Sequence, residues 1–444
     1  MMNSQENFVG TVFGDHFAAT SSPTTWHDKI SSALARIRYQ FVIGVMIAVF
    51  LPALIRVEFE RFADLPSSYT NSVIGCILAF SLGFVIFRKL TAYPGVRAMA
   101  YVVPAFTASY MVLVLLFFIM RLDYSRYQTL VSFIVSTSWF LTAFFVGHRT
   151  KKIELSVIPG GTVNKLLPRG AVLWRLLQSP ADAEGSRSPL VVDLRAELGP
   201  EWERFVADAA VSGRPVYHVK QIAESLSGQV EVEHISENTF GSLSPSSLYG
   251  SAKRNIDVLT SVFALVALSP FLLLLALAIR LDSPGPAIFR QKRMGAGGKE
   301  FVIFKFRSMR NLTAEERAHP DSDTTHDSNR ITRIGRIIRV TRLDELPQIV
   351  NILRGEMSWI GPRPESLRLS KMYEQEIQYY RYRHVVRPGI TGWAQVNQGH
   401  VTGVEDASEK FKYDLFYIKH FSLWLDMLVV LRTIRVILTG SGAR

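Results

Sequence analysis

The apolar positions fall into four long runs near the start of the chain, at residues 39–55, 72–87, 98–120 and 127–146. Each is close to the ~20 residues that cross a bilayer as a helix. The polar positions between them are uneven in charge. Lys29, Arg36 and Arg38 precede the first run, Arg88, Lys89 and Arg97 fill the second loop, and His148, Arg149, Lys151 and Lys152 follow the fourth. The first loop carries Glu58, Glu60 and Asp64 instead. This bias predicts four crossings with both ends of the block in the cytoplasm, rather than a buried soluble bundle. Residues 1–38 are polar and read as a cytoplasmic segment without a cleavable signal.

After the membrane block (39–148) the pattern shortens. Apolar stretches at 154–158, 190–193 and 215–218 read as strands, and 172–177 and 202–211 as helices. Alternating strands and helices predict a small α/β domain over 149–241. Gly160-Gly161 lacks the full glycine fingerprint of a phosphate loop and reads as a turn. Residues 242–251, rich in Ser, Gly and Pro, read as a linker.

A fifth apolar run, 258–279, opens the last region, 252–444. Lys253 and Arg254 precede it, Arg280 follows it, and Ser269-Pro270 sits at its centre. Pro270 removes the hydrogen bond to the carbonyl of Val266. Basic residues at both ends fit one anionic leaflet. The expectation is a re-entrant membrane hairpin over 255–281; a kinked crossing is the alternative.

The remaining stretches are short and chemically dense. Residues 301–309 alternate apolar and basic, setting Lys305 and Arg307 on one face of a strand. Residues 311–329 are polar; their His319, Asp321, Asp323, His326 and Asp327 lack metal-ligand spacing and read as a loop. Residues 330–339 form a basic amphipathic run. It leads into Asp344-Glu345, a carboxylate pair set among Arg339, Arg342, Arg354 and Arg363. Leu346, Ile349, Val350 and Leu353 then recur at helical spacing. That puts Pro347 in a first turn and Asp344 at or next to the N-cap, where N–H groups and the helix dipole favour negative charge. Taken alone, Asp344 could be only a cap and the arginines a solvated face. Gly361-Pro-Arg-Pro364 forms a rigid turn presenting Arg363, and a polar helix through Tyr380 follows. In 387–397 glycines allow close backbone approach, while Arg387 and Gln395 offer donors. The chain closes on an aromatic helix at 412–418 and an amphipathic, surface-lying helix at 424–438 carrying Arg432 and Arg435.

Charge narrows the partners. The net charge is +12 and the calculated pI about 9.7. That suits an anionic membrane or a phosphorylated substrate. The basic residues flank apolar runs and carry no nucleic-acid-binding signature, so nucleic acid is not expected. With Cys76 as the sole cysteine, intramolecular disulfides and cysteine-based zinc sites are excluded.

Lys253-Arg254 before a broken apolar run, Ser283-Pro-Gly-Pro286, Lys305-Phe-Arg-Ser-Met309, Leu343-Asp-Glu-Leu-Pro-Gln348, Gly361-Pro-Arg-Pro364 and Arg387-Pro-Gly-Ile-Thr-Gly392 occur in one order. Together they resemble the bacterial sugar transferase family, the monotopic phosphoglycosyl transferases. The four-helix block and α/β domain resemble its large subclass. The resemblance implies a membrane α plus α/β protein with a mainly helical catalytic domain and a re-entrant helix. It implies transfer of a sugar 1-phosphate from a UDP-sugar to undecaprenyl phosphate, with release of UMP. This would be the first membrane step of exopolysaccharide, capsule or O-antigen synthesis, at the cytoplasmic face of a bacterial inner membrane. Asp344 would be the nucleophile, Glu345 would aid Mg²⁺ binding with Asp344, and Arg363 would hold nucleotide phosphate. Lys305, Arg307, Arg342, Arg387 and Gln395 complete the candidate substrate contacts. Membrane lipid is an expected partner and a homodimer is compatible with this arrangement. A non-catalytic regulator of polysaccharide chain length would need no such motifs, and a glycosyltransferase moving only the sugar would release UDP.

Overall fold

The computed structural model describes residues 37–56, 67–93, 98–147, 154–163, 173–183, 186, 188–232, 245, 247–310, 330–398 and 403–439. It divides into two compact units, Met1–Gly228 and Gln229–Arg444. The division lies upstream of the linker expected at 242–251. The charged first loop, the basic residues 148–152 and the polar stretch 311–329 lie outside the described residues.

In the first unit, the first apolar run is helical from Ile37–Val45 through a π-helical turn, Met46–Phe50, into Leu51–Arg56. Helices Ser67–Thr91, Met99–Ile119 and Arg126–Gly147 follow. Arg38–Ile55, Ser67–Thr91 and Met99–Ile119 are long and apolar enough to cross a membrane, and Arg126–Gly147 is long enough at 22 residues. Phe80, Phe106 and Phe140 interlock between these helices with ring centroids 5.0–5.8 Å apart. Polar side chains on the inner faces bond to one another, as Tyr110 does with Ser132 and Ser136. Gln128 donates to the carbonyl of Val49, within the π-helical turn.

The α/β domain is a four-stranded parallel sheet in the order β2-β1-β3-β4, with β1 Glu154–Val157, β2 Leu173–Leu176, β3 Leu190–Val192 and β4 Val216–His218. Helix Val219–Ser227 packs against Leu155, Val157 and Val191, while helix Pro200–Val211 belongs to the cluster of Ile158, Leu190 and Val192. The segment expected as a helix at 172–177 is strand β2. Its apolar run satisfies either periodicity, and the free edge of β1 takes its backbone bonds. Gly160 and Gly161 turn with φ of 141° and 55°. Asp193 fills that turn, accepting from the Thr162 N–H at 2.9 Å and its hydroxyl at 2.7 Å. A carboxylate already holds the turn, as its reading as a plain turn requires.

The second unit contains one long helix, Ser247–Asp282, continuous through Pro270. No break interrupts it at Ser269-Pro270, and the reason is local. The Val266 carbonyl that Pro270 cannot reach accepts from the Ser269 hydroxyl at 2.9 Å. This helix too is long and apolar enough to cross a membrane, and Leu259, Phe263, Val266, Leu273 and Leu274 are exposed. An antiparallel hairpin follows, β5 Ile288–Met294 with β6 Glu300–Phe306. The basic amphipathic run forms helix Arg333–Val340, with Ile338 buried and Ile337 and Val340 exposed. Strands β7 Ser358–Ile360 and β8 Gly389–Thr391 pair in parallel. The helices Leu367–Glu376, Val404–Lys419 and Leu423–Thr439 complete a mainly helical body.

Candidate active site

The carboxylate pair lies in a 3₁₀ turn, Leu343–Gln348, and the α-helix Ile349–Arg354 begins only after it. The expectation had Pro347 in the first turn of an α-helix. Pro347 has no N–H for the Leu343 carbonyl, so the chain tightens before the α-helix starts. Arg342 enters the turn with a left-handed backbone, φ 59°. A non-glycine held there costs on the order of 1–3 kcal/mol, and the surroundings must impose it.

Glu345 is buried, and its Oε1 receives three cations: Arg363 Nη2 at 2.6 Å, Lys305 Nζ at 3.3 Å and Arg342 Nη1 at 3.9 Å. Burial pushes its pKa up, but Arg363 and then Lys305 outweigh that and hold the carboxyl at about 2. Asp344 is the opposite case. Burial first, and then the charge of Glu345, raise it to about 6 against the same cations. Its Oδ1 is buried without a hydrogen-bond partner in the protein. Burial, and next the positive charge of Arg363, lower Lys305 to about 8. Two adjacent carboxylates are thereby given different work: Glu345 is neutralised and fixed, while Asp344 stays basic and unpaired.

The motifs that hold this pair come together from distant sequence. Lys305 leaves β6 toward Glu345, and Asn351 staples the Ile349–Arg354 helix to β6, donating to the Val302 carbonyl at 2.7 Å and accepting from the Phe304 N–H at 3.1 Å. The glycines of the two Gly/Pro motifs lie backbone against backbone. A Cβ on Gly389 would fall 2.1 Å from the Gly361 nitrogen, and one on Gly392 2.2 Å from the Gly361 oxygen. The close approach expected of these glycines is thus to the Arg363 loop itself.

Other expected contacts are placed elsewhere. Arg307 is buried and caps the end of the long helix, donating to the carbonyls of Pro284 at 2.6 Å and Ser283 at 2.5 Å. It does not share the site with Lys305, because the alternation of β6 ends where Phe306 and Arg307 are both buried. Arg387 donates to the Gly355 carbonyl at 3.0 Å, and Gln395 Nε2 to the Ile390 carbonyl at 3.1 Å. Gln395 Oε1 lies beside Gly392 without a partner of its own. Lys253 is buried against Asp426 at 2.5 Å, and Arg254 donates to the carbonyls of Ile352 and Leu353. Both basic residues are anchors of the long helix on the protein. Arg432, expected on the surface, is buried with its guanidinium 4.6 Å over Trp393. Sequence reasoning passed over Arg383, Asp414, Asn351 and Asp426, buried polar residues whose partners are remote in sequence.

Among the described residues, no group of three or more His, Cys, Asp or Glu side chains is placed to hold a metal ion. A magnesium bound through one or two carboxylates and substrate phosphates needs no such cage. The unpaired Asp344 Oδ1 fits that role, whereas Glu345 Oε1 already faces three cations.

Apolar helices of spanning length and a carboxylate pair, one member of which is held by three cations, define a membrane protein with a site suited to phosphate chemistry. The chain belongs to the bacterial sugar transferase family, whose model matches residues 248–440. It is 42% identical over 405 residues to a UDP-N-acetylgalactosamine-undecaprenyl-phosphate N-acetylgalactosaminephosphotransferase of Aeromonas hydrophila, covering 91% of this chain and 95% of that one. It is 41% identical over 227 residues to a UDP-glucose:undecaprenyl-phosphate glucose-1-phosphate transferase of Xanthomonas campestris, covering 49% of this chain and 45% of that one. A protein of the same description from Escherichia coli is 41% identical over 184 residues, 41% of this chain and 39% of that one.

Proposed function

We propose that this protein transfers a sugar 1-phosphate from a UDP-sugar to undecaprenyl phosphate and releases UMP. The carrying observation is the split pair: Asp344, basic and unpaired, beside Glu345, neutralised by Arg363 and Lys305. Asp344 attacks the β-phosphorus of the donor; the bond from that phosphorus to the bridging oxygen breaks, and UMP leaves with the oxygen. The lipid phosphate then attacks the phosphorus held on Asp344, freeing the carboxylate and forming the lipid diphosphate sugar. Arg363 and Lys305 offset the phosphate charge through both steps. Asp344, with Glu345 nearby, would hold Mg²⁺, which when bound supplies further charge neutralisation.

A re-entrant course for the Ser247–Asp282 helix belongs to the same reading. Its support is that both ends are secured on one folded body. Lys253 and Arg254 bond to Asp426 and to the end of the Ile349–Arg354 helix, and Ile279 and Ser283 bond to Arg307. Bent at Pro270 without being broken, the helix then carries its exposed apolar middle into a leaflet and back, keeping the site at the cytoplasmic face beside the lipid phosphate.

The test is a panel of UDP-sugars with undecaprenyl phosphate, led by the donor named in the full-length relative, UDP-N-acetylgalactosamine. UMP is the expected product. Release of UDP would instead make the protein a glycosyltransferase, and no nucleotide release with any donor would favour a non-catalytic regulator.

A further inference from the structure

The loop that carries Arg363 depends on donors from outside itself. Pro362 and Pro364 bring no N–H, so the loop has little with which to bond its own carbonyls. Each of four successive carbonyls is met by a different partner. Gly389 N reaches Pro362 O at 2.9 Å, Arg383 Nη2 reaches Arg363 O at 2.8 Å, Arg293 Nη1 reaches Pro364 O at 3.2 Å and Met294 N reaches Glu365 O at 3.3 Å. The bond that lands on Arg363 is made by a guanidinium whose side chain is 2% exposed.

Arg383 is itself held on several sides. Its Nη2 pairs with Asp414 Oδ2 at 2.9 Å, equally buried. Its Nη1 donates to the Tyr380 hydroxyl at 2.6 Å and lies 3.8 Å from Glu365 Oε1, which Lys410 also pairs. A buried ion pair is a costly way to stabilise a fold, since apolar side chains of the same volume often do as well. An apolar side chain could not donate to the Arg363 carbonyl. That bond restrains the peptide plane from which the Arg363 side chain departs to meet Glu345 at 2.6 Å.

We propose that Arg383, held by Asp414, is a positioning residue for Arg363: it fixes the backbone from which Arg363 reaches Glu345 and the phosphates of the nucleotide donor. The proposal rests on Arg363 acting on that donor, as in the function proposed above. Arg383 touches no reacting atom; its effect passes through Arg363.

A double-mutant cycle on the full chain in detergent tests it, reading kcat and KM from UMP release and, separately, the affinity for UDP. Arg383→Lys keeps the positive charge for Asp414 and drops the planar fork that also serves the carbonyl. Displacement of a reactive group by about 1 Å costs about a hundredfold, so Arg383→Lys is expected to lower kcat/KM by about 10–100-fold. In an Arg363→Ala background the same change should cost less than about twofold, the sign of coupled residues. UDP affinity should show the same non-additivity. Equal losses in both backgrounds, or no loss from Arg383→Lys alone, would overturn the proposal. If Arg383→Lys does not fold, Asp414→Asn goes through the same cycle with the same expectations. A wild-type protein that binds UDP but releases no UMP would sink the functional reading, while the UDP cycle would still decide the positioning role.

Discussion

The opposite fates of Asp344 and Glu345 carry pH predictions. In the proposed mechanism Asp344 attacks only as a carboxylate, and burial with the neighbouring Glu345 charge raises it to about 6. In the same proposal Lys305 offsets phosphate charge only while protonated, and burial with Arg363 lowers it to about 8. kcat/KM should therefore rise through about pH 6, as Asp344 loses its proton, and fall above about pH 8, as Lys305 loses its own. Lys305→Arg should abolish the alkaline limb; a limb that stays in place assigns it to another group. Asp344→Asn should remain folded yet neither turn over nor take up label from radiolabelled UDP-sugar without lipid. The wild type should take up label and release about one UMP per active site. Good turnover without label, with rates of ternary rather than ping-pong form, would reduce Asp344 to a metal ligand. For stability, the sign differs between the two. Glu345 is lowered from 4.5 to about 2, so its contribution is full above pH 4.5 and lost as pH falls through 2. Asp344 is raised from 3.8 to about 6, so its ionisation above pH 6 costs stability, and the site is most strained where it is active.

At the scale of elements, what was legible in the sequence followed from local chemistry, and what was not depended on partners far along the chain. The helices of the membrane block and the strands β1, β3 and β4 follow from apolar spacing. Strand β2 was missed because a six-residue stretch, apolar but for Arg175, satisfies both periods, and pairing with β1 decided it. The cations around Glu345 could be picked out as Arg342, Arg363 and Lys305, but not the clamp behind them, since Arg383 and Asp414 lie 31 residues apart. Arg307 reads as a ligand contact only when the alternation is carried to residue 309, three residues past the end of β6 at Phe306. The two Gly/Pro motifs were seen separately; only the fold shows them zipped through Gly361 and Gly389. Gly389→Ala would set a Cβ 2.1 Å from backbone nitrogen, a clash no side-chain movement relieves. It should cost roughly 1–3 kcal/mol, as overpacking does, and displace Arg363. Thermal unfolding should show the loss, with activity falling further than the folded fraction; an unchanged melting temperature would mean the loop yields. The long helix gives a second test. Pro270→Ala restores a donor for Val266 and removes the ring, favouring a straight crossing. In a Cys76→Ser background, Ser251→Cys and Pro286→Cys should both resist labelling from outside the cell. With Pro270→Ala added, labelling should begin at residue 286, and labelling there in its absence would establish a crossing from the start.

For the whole molecule, the question is how much of the chain the chemistry needs. The described site residues all lie beyond Gly228, where the chain divides, as does the segment matched by the family model, 248–440. The first residues of the second unit are bound into it before the long helix begins: Val230 N donates to the Lys412 carbonyl at 3.1 Å, and Glu231 pairs with Lys412 at 2.7 Å. A fragment of residues 229–444 therefore keeps the site, its clamp and these ties, and one beginning at residue 246 keeps the site but loses the ties. The longer fragment should turn over in detergent within about tenfold of the full chain, because no step assigned to Asp344, Arg363 or Lys305 draws on the membrane block. The shorter one should have the same KM for the donor but melt lower, by about 2–4 °C for each kcal/mol the ties contribute. Circular dichroism separates folding from function here. A fragment 229–444 that is helical, melts cooperatively and binds UDP, yet releases no UMP, would show that the block or the α/β domain supplies part of the active site.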